Sequence, residues 1–537
     1  MTDRIVSNWT KADDASVENA IRRGASRRDL LRMLAAGGVA VSGAGLIVRG
    51  ATDAVAQTPK SGGHLKVASW SASTADTLDP AKASLSTDYV RCCAVYNRLT
   101  FLDETGVPQM ELAEAIESAD AKVWTVKLRK GVTFHSGKAF VAEDVIFSLK
   151  RHLDPATGSK VNSIAKQITA ADKVDDLTVK ITLANPNGDL PTILSMHHFM
   201  IVADGTTDFS KGNGTGAFVL QTFEPGVKTI VVKNKNYFKP GKPYVDSFEL
   251  FAIPDHTARV NALISGDIHL AASIDSRSIR LVESQPGFVA FKTTSGNYTN
   301  LNMRLDMTPG DKMDFVTGMK YLLNREQIQK SALRGLAEIA NDQPIPPANA
   351  YYNAELKAKA FDPEKAKFHF QKAGVLGQSI PVITSDAPTA GVDMATIVQQ
   401  AGAGIGLKLE VQKVPSDGYW SNYWLKAPIH FGNINPRPTP DILFSLLYAS
   451  DAPWNESQFK SPTFDKMLVE ARGSLDQAKR KQIYGEMQKM IAEEAGTAIP
   501  VFISNVDAHT AKLKGLRPNP LGGMMGYALA ENVWLEA

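Results

Sequence analysis

Apolar and polar positions follow two periods that alternate along this chain. In 123–128, Trp124, Val126 and Leu128 alternate with Val123, Thr125 and Lys127, the period of two expected of a strand with one buried face, and the pattern stops at Gly131. Beyond the HSGK turn at 135–138, Val141, Val145, Leu149, Ile146 and Leu153 recur at helical spacing. Glu143 and Asp144 fall in the first turn, where the helix dipole favours negative charge. VDDLTVKITLANPNGDLP (174–191) returns to the strand pattern and ends in a proline-bounded turn. Earlier, SGGHLKVASW (61–70) opens on Gly62 and Gly63 and runs into a short strand, and TLDP (77–80) is a turn in which Asp79 is placed to bond local backbone. Later, 214–238 and 245–253 are β-rich. The pattern of 257–271 predicts a helix ended at Gly266 and followed by a strand, 313–333 a single helix, and 361–375 a helix capped by Gly374. The stretch 461–503 adds two helices and a strand. No internal repeat appears, and the order of elements predicts a mixed α/β protein.

A length of 537 residues exceeds what one core supports and predicts more than one domain. The formal charge is +3, and residues 1–56, with eight Lys/Arg and six Asp/Glu, account for two of those charges. A nearly neutral remainder gives no basis for nucleic-acid binding. The only cysteines, Cys92 and Cys93, are neighbours, and a disulfide between adjacent residues is strained, so they read as small buried thiols. Residues 1–56 read as an export leader. Arg27 and Arg28 sit in a twin-arginine motif, Met33–Val48 is uncharged but shorter than a membrane span, and cleavage is expected between Ala56 and Gln57. The expected location is the periplasm, as a soluble protein.

The chemical motifs fail one by one. Gly212–Gly216 (GNGTG) lacks the lysine of a phosphate loop and runs into a strand, and Gly402–Gly406 (GAGIG) closes a helix ahead of a strand, reversing the dinucleotide order. His197 and His198 are adjacent in what reads as an extended segment, where neighbouring side chains point apart, so they do not suit one ion. HExxH, CxxC and G-x-S-x-G are all missing from the sequence. No metal, cofactor or enzyme activity is predicted.

Several segments in order, GGHLKVA (62–68), GVTFHSGKAFVAEDVIFSLKR (131–151), GTGAFVL (214–220), FDPEKAKFHFQKAG (361–374) and AKRKQIYGEMQKMIAEEAGTAIPVF (478–502), resemble the family 5 extracellular solute-binding proteins. These are the dipeptide- and oligopeptide-binding components of ABC importers. The resemblance implies a two-lobed α/β periplasmic binding protein fold with two hinge strands and an extra inserted domain. The first lobe maps to 57–98, 212–296 and 504–537, the inserted domain to 99–211 and the second lobe to 297–503. It implies a monomer that captures a peptide or peptide-like solute between its lobes and delivers it to the permease subunits of the importer, after export by the twin-arginine machinery. Two other readings stay open: a non-peptide solute (sugar, opine or metal complex) on the same fold, and an exported hydrolase or transferase. His135, in the family's most specific segment, is expected to be structural.

In peptide-binding members, a loop of the second lobe supplies an aspartate for the ligand's α-amino group, after an aromatic residue and ahead of a proline-containing turn. The corresponding stretch here is Phe431–Asp441, and the acid position falls on Asn433, Ile434 or Asn435, none of them charged. Arg437 stands nearby. It is either solvated or paired locally, or it enters the cleft, where its planar fork suits a carboxylate or phosphate better than an amine. Asp441 either contacts ligand or caps the helix beginning beside Pro440. By family position, Tyr298, Asn300 and Asn302 sit where the chain crosses into the second lobe. Trp420, Asp451 and Trp454 supply aromatic walls and polar groups, and Trp70 and Asp79 face the cleft mouth. Each aromatic serves equally well as core.

Overall fold

The computed structural model of the protein describes residues 58–71, 73–519 and 521–536. The twin-arginine segment with Arg27 and Arg28, and the cleavage positions Ala56 and Gln57, lie outside the described residues. One twelve-stranded mixed sheet runs through the molecule. Its main path passes from Lys408–Lys413 through Ser379–Thr384, Ile429–Ile434, Phe288–Met303, Val501–Thr510, Leu270–Ala271, His64–Ser69, Ser247–Ala252 and Lys228–Lys233 to Phe218–Glu224.

Two strands join its halves. Phe288–Met303 and Val501–Thr510 pair antiparallel from Phe288 opposite Thr510 to Tyr298 opposite Phe502, with a register shift between Thr294 and Asn297. On one side His64–Ser69 runs parallel to Ser247–Ala252, and on the other Ser379–Thr384 runs parallel to Lys408–Lys413. Parallel strands need helices over their faces. Each half therefore closes as an α/β lobe, and the antiparallel pair is the connection between them.

Apolar side chains gather in separate cores. One centres on Phe315, Met319 and Phe370, and a second on Phe444, Tyr484 and Ile491. A third joins Leu65, Phe218 and Phe248 to Leu529 and Val533 from far along the chain, and a smaller one packs Val260 and Leu263 against Val506. The core of 99–203 stands on its own four-stranded antiparallel sheet, Ala113–Glu117, Val123–Leu128, Thr178–Leu183 and Ile168–Asp175. Val123–Leu128 alternates as its pattern requires, with Trp124, Val126 and Leu128 inward. Helix Ala142–Lys150 carries Glu143 and Asp144 in its first turn, and Asp144 accepts from the Val141 N–H at 2.9 Å.

Two local expectations are corrected. The segment 313–333 is not one helix: it stops at Leu322, Asn324 caps a new turn over Arg325–Gln327, and a π-helical turn follows at Ile328–Ala332. Arg325 forces the break. It is drawn into a buried pair with Asp342 at 2.6 Å and donates to the Lys320, Leu323 and Lys359 carbonyls, two of which lie at the end of the first helix. His197 and His198 are not extended but lie in a 3-10 turn, His197–Phe199, so both rings flank Tyr89, at 5.2 and 5.6 Å.

The glycine loop and the HSGK turn prove to be one structure. A Cβ at Gly214 or Gly216 would lie 2.0 or 2.3 Å from the Val95 backbone, so only glycine fits at either position. His135 holds the loop there: its backbone N–H donates to Gly214 O at 2.8 Å, and Nε2 faces Gly216 O at 3.1 Å. Nδ1 faces Gly212 O at 3.2 Å, with the Gly214 N–H at 3.3 Å, and burial lowers the imidazole pKa against the two carbonyl contacts, which raise it. His135→Ala is expected to lower unfolding stability by about 1–2 kcal/mol, measured in urea. A loss well under half a kcal/mol would remove this role.

Candidate functional site

A cavity of about 1240 Å³ opens where the strand pair meets the two lobes. The pair itself contributes Ser295, Asn297, Asn505 and Asp507, and the loop Asn435–Pro438 covers it from the second lobe. Most of the remaining wall belongs to the first lobe and to the segment 99–203.

Three rings from distant parts of the sequence form one aromatic patch in that wall. Tyr89 lies 5.2 Å from His197 and 5.2 Å from Tyr527, and His197 lies 5.5 Å from Tyr527. Tyr527 reaches this place through an uncommon backbone. Met524, Met525, Gly526 and Tyr527 have φ of 53°, 57°, 62° and 72°, a left-handed turn in which only the glycine is at ease. Each of the others costs about 1 kcal/mol or more, which surrounding contacts must offset. Asp507, on the connecting strand, receives the Met524 N–H at 2.7 Å, and His197 Nε2 bonds Gly526 O at 2.9 Å. Burial, helped by Arg98, pushes His197 down to about 3, so its Nε2 carries a proton in the neutral ring and donates.

Across the cavity stands Arg437. Its Nη1 donates to the Asn435 and Pro436 carbonyls at 2.9 and 3.1 Å, and its guanidinium lies 5.7 Å from the Trp454 ring centroid. No carboxylate pairs with it among the described residues. Burial lowers its pKa, an effect offset in part by the Tyr298 and Tyr89 hydroxyls, and the half-buried guanidinium has no carboxylate beside it.

The residues singled out from the sequence fall into three groups. Trp70, Asn435 and Arg437 line the cavity. Asn433 is turned back onto the strand pair, bonding Asn297 Oδ1, Tyr298 O and Thr299 Oγ1, and Trp454 backs Arg437 from outside the cavity. The others stand apart from the cavity lining. Tyr298, Asn300, Asn302 and Phe431 are fully buried. Asn300 Nδ2 donates to Glu456 Oε2 at 2.7 Å and to Asn302 Oδ1 at 2.9 Å, inside the second lobe. Asp79 is held by both terminal nitrogens of Arg151 at 2.8 Å each and caps the turn Pro80–Lys82. Asp441 is not the helix cap: Thr439 is, and Asp441 pairs with Arg472 at 2.8 Å. Trp420 stacks edge-on against Tyr419 and Trp424, and Asp451 is exposed.

Tyr89, His197, Tyr527 and Asp507 were not found from the sequence. Only the His197–His198 pair had stood out, as a rejected metal motif, and the GGMMGY run (522–527) was the one available sign of an unusual backbone. Among the described residues no helix is long and apolar enough to cross a membrane, and no cluster of potential metal ligands occurs.

Two α/β lobes, two connecting strands and a solute-sized cavity between them define the class of two-lobed binding proteins. Residues 107–456, well over half of the chain, match the model of the bacterial extracellular solute-binding proteins, family 5 (middle), and the chain belongs to that family. The di/tripeptide-binding protein 1 of Pseudomonas aeruginosa strain UCBPP-PA14 is 27% identical over 463 residues, covering 78% of this chain and 85% of its own. The glutathione-binding protein GsiB of Escherichia coli O6:K15:H31 is 27% identical over 459 residues, covering 82% and 89%. The periplasmic binding protein DppA of Helicobacter pylori, solved with the peptide STSA, superposes with a TM-score of 0.71 at 24% identity, covering 89% of this chain and 99% of its own.

Proposed function

We propose that the protein is the periplasmic substrate-binding component of an ABC importer, and that it carries a peptide or peptide-like solute to the permease. The cavity carries this reading: it is bounded by both lobes and crossed by the strands on which they would turn, so a solute touching both sides favours the closed form. The similarity to di/tripeptide- and glutathione-binding proteins supports the solute class. Export by a twin-arginine leader, a monomeric state and binding without turnover belong to the same proposal. So does the division into a first lobe (57–98, 212–296, 504–537), an inserted domain (99–211) and a second lobe (297–503), which is supported by the separation of the apolar cores.

The test is a thermal-shift panel of di- and tripeptides on the purified protein, with mass spectrometry of the solute afterwards. A binding peptide at 100 times its Kd is expected to add about 2.7 kcal/mol of stability and to be recovered intact. Hydrolysed peptide, or no peptide that stabilises, would overturn the reading.

A further inference from the structure

The charges around the cavity do not balance locally. Seven basic and five acidic side chains line it. Glu111 and Glu531 are spent on Lys239, at 2.7 and 3.1 Å, with Arg98 and Lys242 beside them, and Glu104 faces Arg517 at 3.9 Å. The two remaining carboxylates accept from neutral donors: Asp507 from the Ser273 and Met524 N–H groups, one at each oxygen, and Asp103 from Thr105, Val107 and Gln109. Arg129, Lys160 and Arg437 therefore have no carboxylate partner among the described residues. Of these, Arg437 is the one that faces the cavity from the second lobe, and its fork is oriented by its own loop, leaving Nε and Nη2 unspent.

The opposite wall offers further unspent donors. The Tyr527 hydroxyl has no hydrogen bond among the described residues, and the Tyr89 hydroxyl lies 3.5 Å from Ala83 O, too far for a strong one. Asn297, Asn435 and His197 are neutral, and the Asp507 carboxylate stands behind the Tyr527 turn, accepting the Met524 N–H. A cationic end of a solute would be repelled by Arg437, and Asp507, the one carboxylate that the strand pair brings to the cavity, is engaged by the Ser273 and Met524 N–H groups that hold the left-handed turn. An anionic end would gain a charge-assisted pair with a half-buried guanidinium.

We propose that the Arg437 fork, facing the Tyr89–His197–Tyr527 patch, is a subsite for the carboxylate end of the solute. This rests on the reading of the protein as a peptide binder and assigns the end-group by which the second lobe grips its ligand. Closure then adds the Arg437 contact only for solutes that bear an acidic terminus, which makes Arg437 a specificity determinant.

The experiment incubates the protein with three di- and tripeptide libraries, one with free termini, one N-acetylated and one C-amidated, and identifies the species retained after gel filtration. The free and N-acetylated libraries are expected to yield retained peptides and the amidated library none. Arg437→Ala is expected to weaken the best retained peptide by 10- to 100-fold, while the melting temperature without ligand falls only slightly, because the side chain makes no ion pair in the fold and bonds only its own loop. Arg437→Lys, which keeps the charge without the fork, should fall between. Equal retention of amidated peptides, or unchanged affinity in Arg437→Ala, would overturn the subsite while leaving the peptide reading intact. Retention from none of the libraries would overturn the peptide reading itself.

Discussion

Asp189→Ala is expected to cost the folded protein about 3–5 kcal/mol. Asp189 precedes the short helix Leu190–Ile193 and pairs with Arg480 of helix Gln477–Glu494, 291 residues away, and both side chains are almost wholly buried. Arg480 also lies over the rings of Tyr351 and Tyr484, at 5.2 and 5.6 Å. Around the pair the backbones meet closely: the Gly188 N–H donates to Arg472 O at 2.7 Å, and a Cβ on Gly188 would come within 2.6 Å of Ser474 O. The variant leaves a buried guanidinium whose one remaining side-chain hydrogen bond is to the Tyr484 hydroxyl at 3.4 Å, with Asp441 as the nearby carboxylate. Urea unfolding of Asp189→Ala and Arg480→Met, singly and together, checks this. The double variant should recover much of the loss, since an apolar pair escapes the desolvation cost that both charges carry. A single-variant loss below about 1 kcal/mol would show that the pair is not what closes this contact.

The second large effect is a gain. Glu456 is buried behind the strand Ile429–Ile434, accepts from Trp424 Nε1 at 2.6 Å and Asn300 Nδ2 at 2.7 Å, and has no cationic partner. Burial raises its carboxyl from 4.5 to about 7, against the hydrogen bonds, which lower it. An acid whose folded pKa is raised gives stability that is whole below the unfolded value and is lost as pH rises through the folded one. The window here is about pH 4.5 to 7. Glu456→Gln carries no charge to desolvate and is expected to be more stable than the parent by about 2–3 kcal/mol at pH 8, with the difference vanishing below pH 4. The new amide N–H has an acceptor once Asn300 is flipped, because its Oδ1, buried without a partner, then replaces Nδ2, and Asn302 flipped with it donates its unpartnered Nδ2–H to the same oxygen. Asp441, raised to about 6 mainly by burial, slopes the same way in both proteins, so the informative quantity is the difference between them. A difference that does not change with pH would sink the assignment.

These two buried groups also show where reading the sequence stops. Trp124, Val126 and Leu128 announce their strand because one face is buried and the other wet. In the central strand Phe288–Met303 both faces are covered near Tyr298, so alternation no longer says which side faces the cavity. Tyr298, Asn300 and Asn302 point into the second lobe, while Ser295 and Asn297, across the register shift, line the cavity. The two-lobed fold with its connecting strands was legible through the family resemblance, and the loop that carries Arg437 through its local run of prolines ahead of a helix. The Tyr89–His197–Tyr527 patch was not, because three positions spanning most of the chain meet only through the topology. Lys320 makes the same point in a helix. It reads as a surface residue, yet it is buried with Nζ bonded to Ala492 and Ala495 carbonyls at the end of another helix.

The place of Val501–Thr510 in the sheet bears on the order in which the molecule is made. This strand lies between Phe288–Met303 and Leu270–Ala271, yet it is separated from them in sequence by the whole second lobe. A growing chain has His64–Ser69, Ser247–Ala252 and Leu270–Ala271 in hand long before it has their neighbour. At about 5–20 residues per second, the ~200 residues in between take on the order of ten to forty seconds to emerge. Throughout that interval the first lobe presents an unpaired strand edge and an apolar face still waiting for Leu529 and Val533. A nascent chain of this protein keeps both exposed until its last strand is made, and the cavity is complete only when residues 505–531 leave the ribosome.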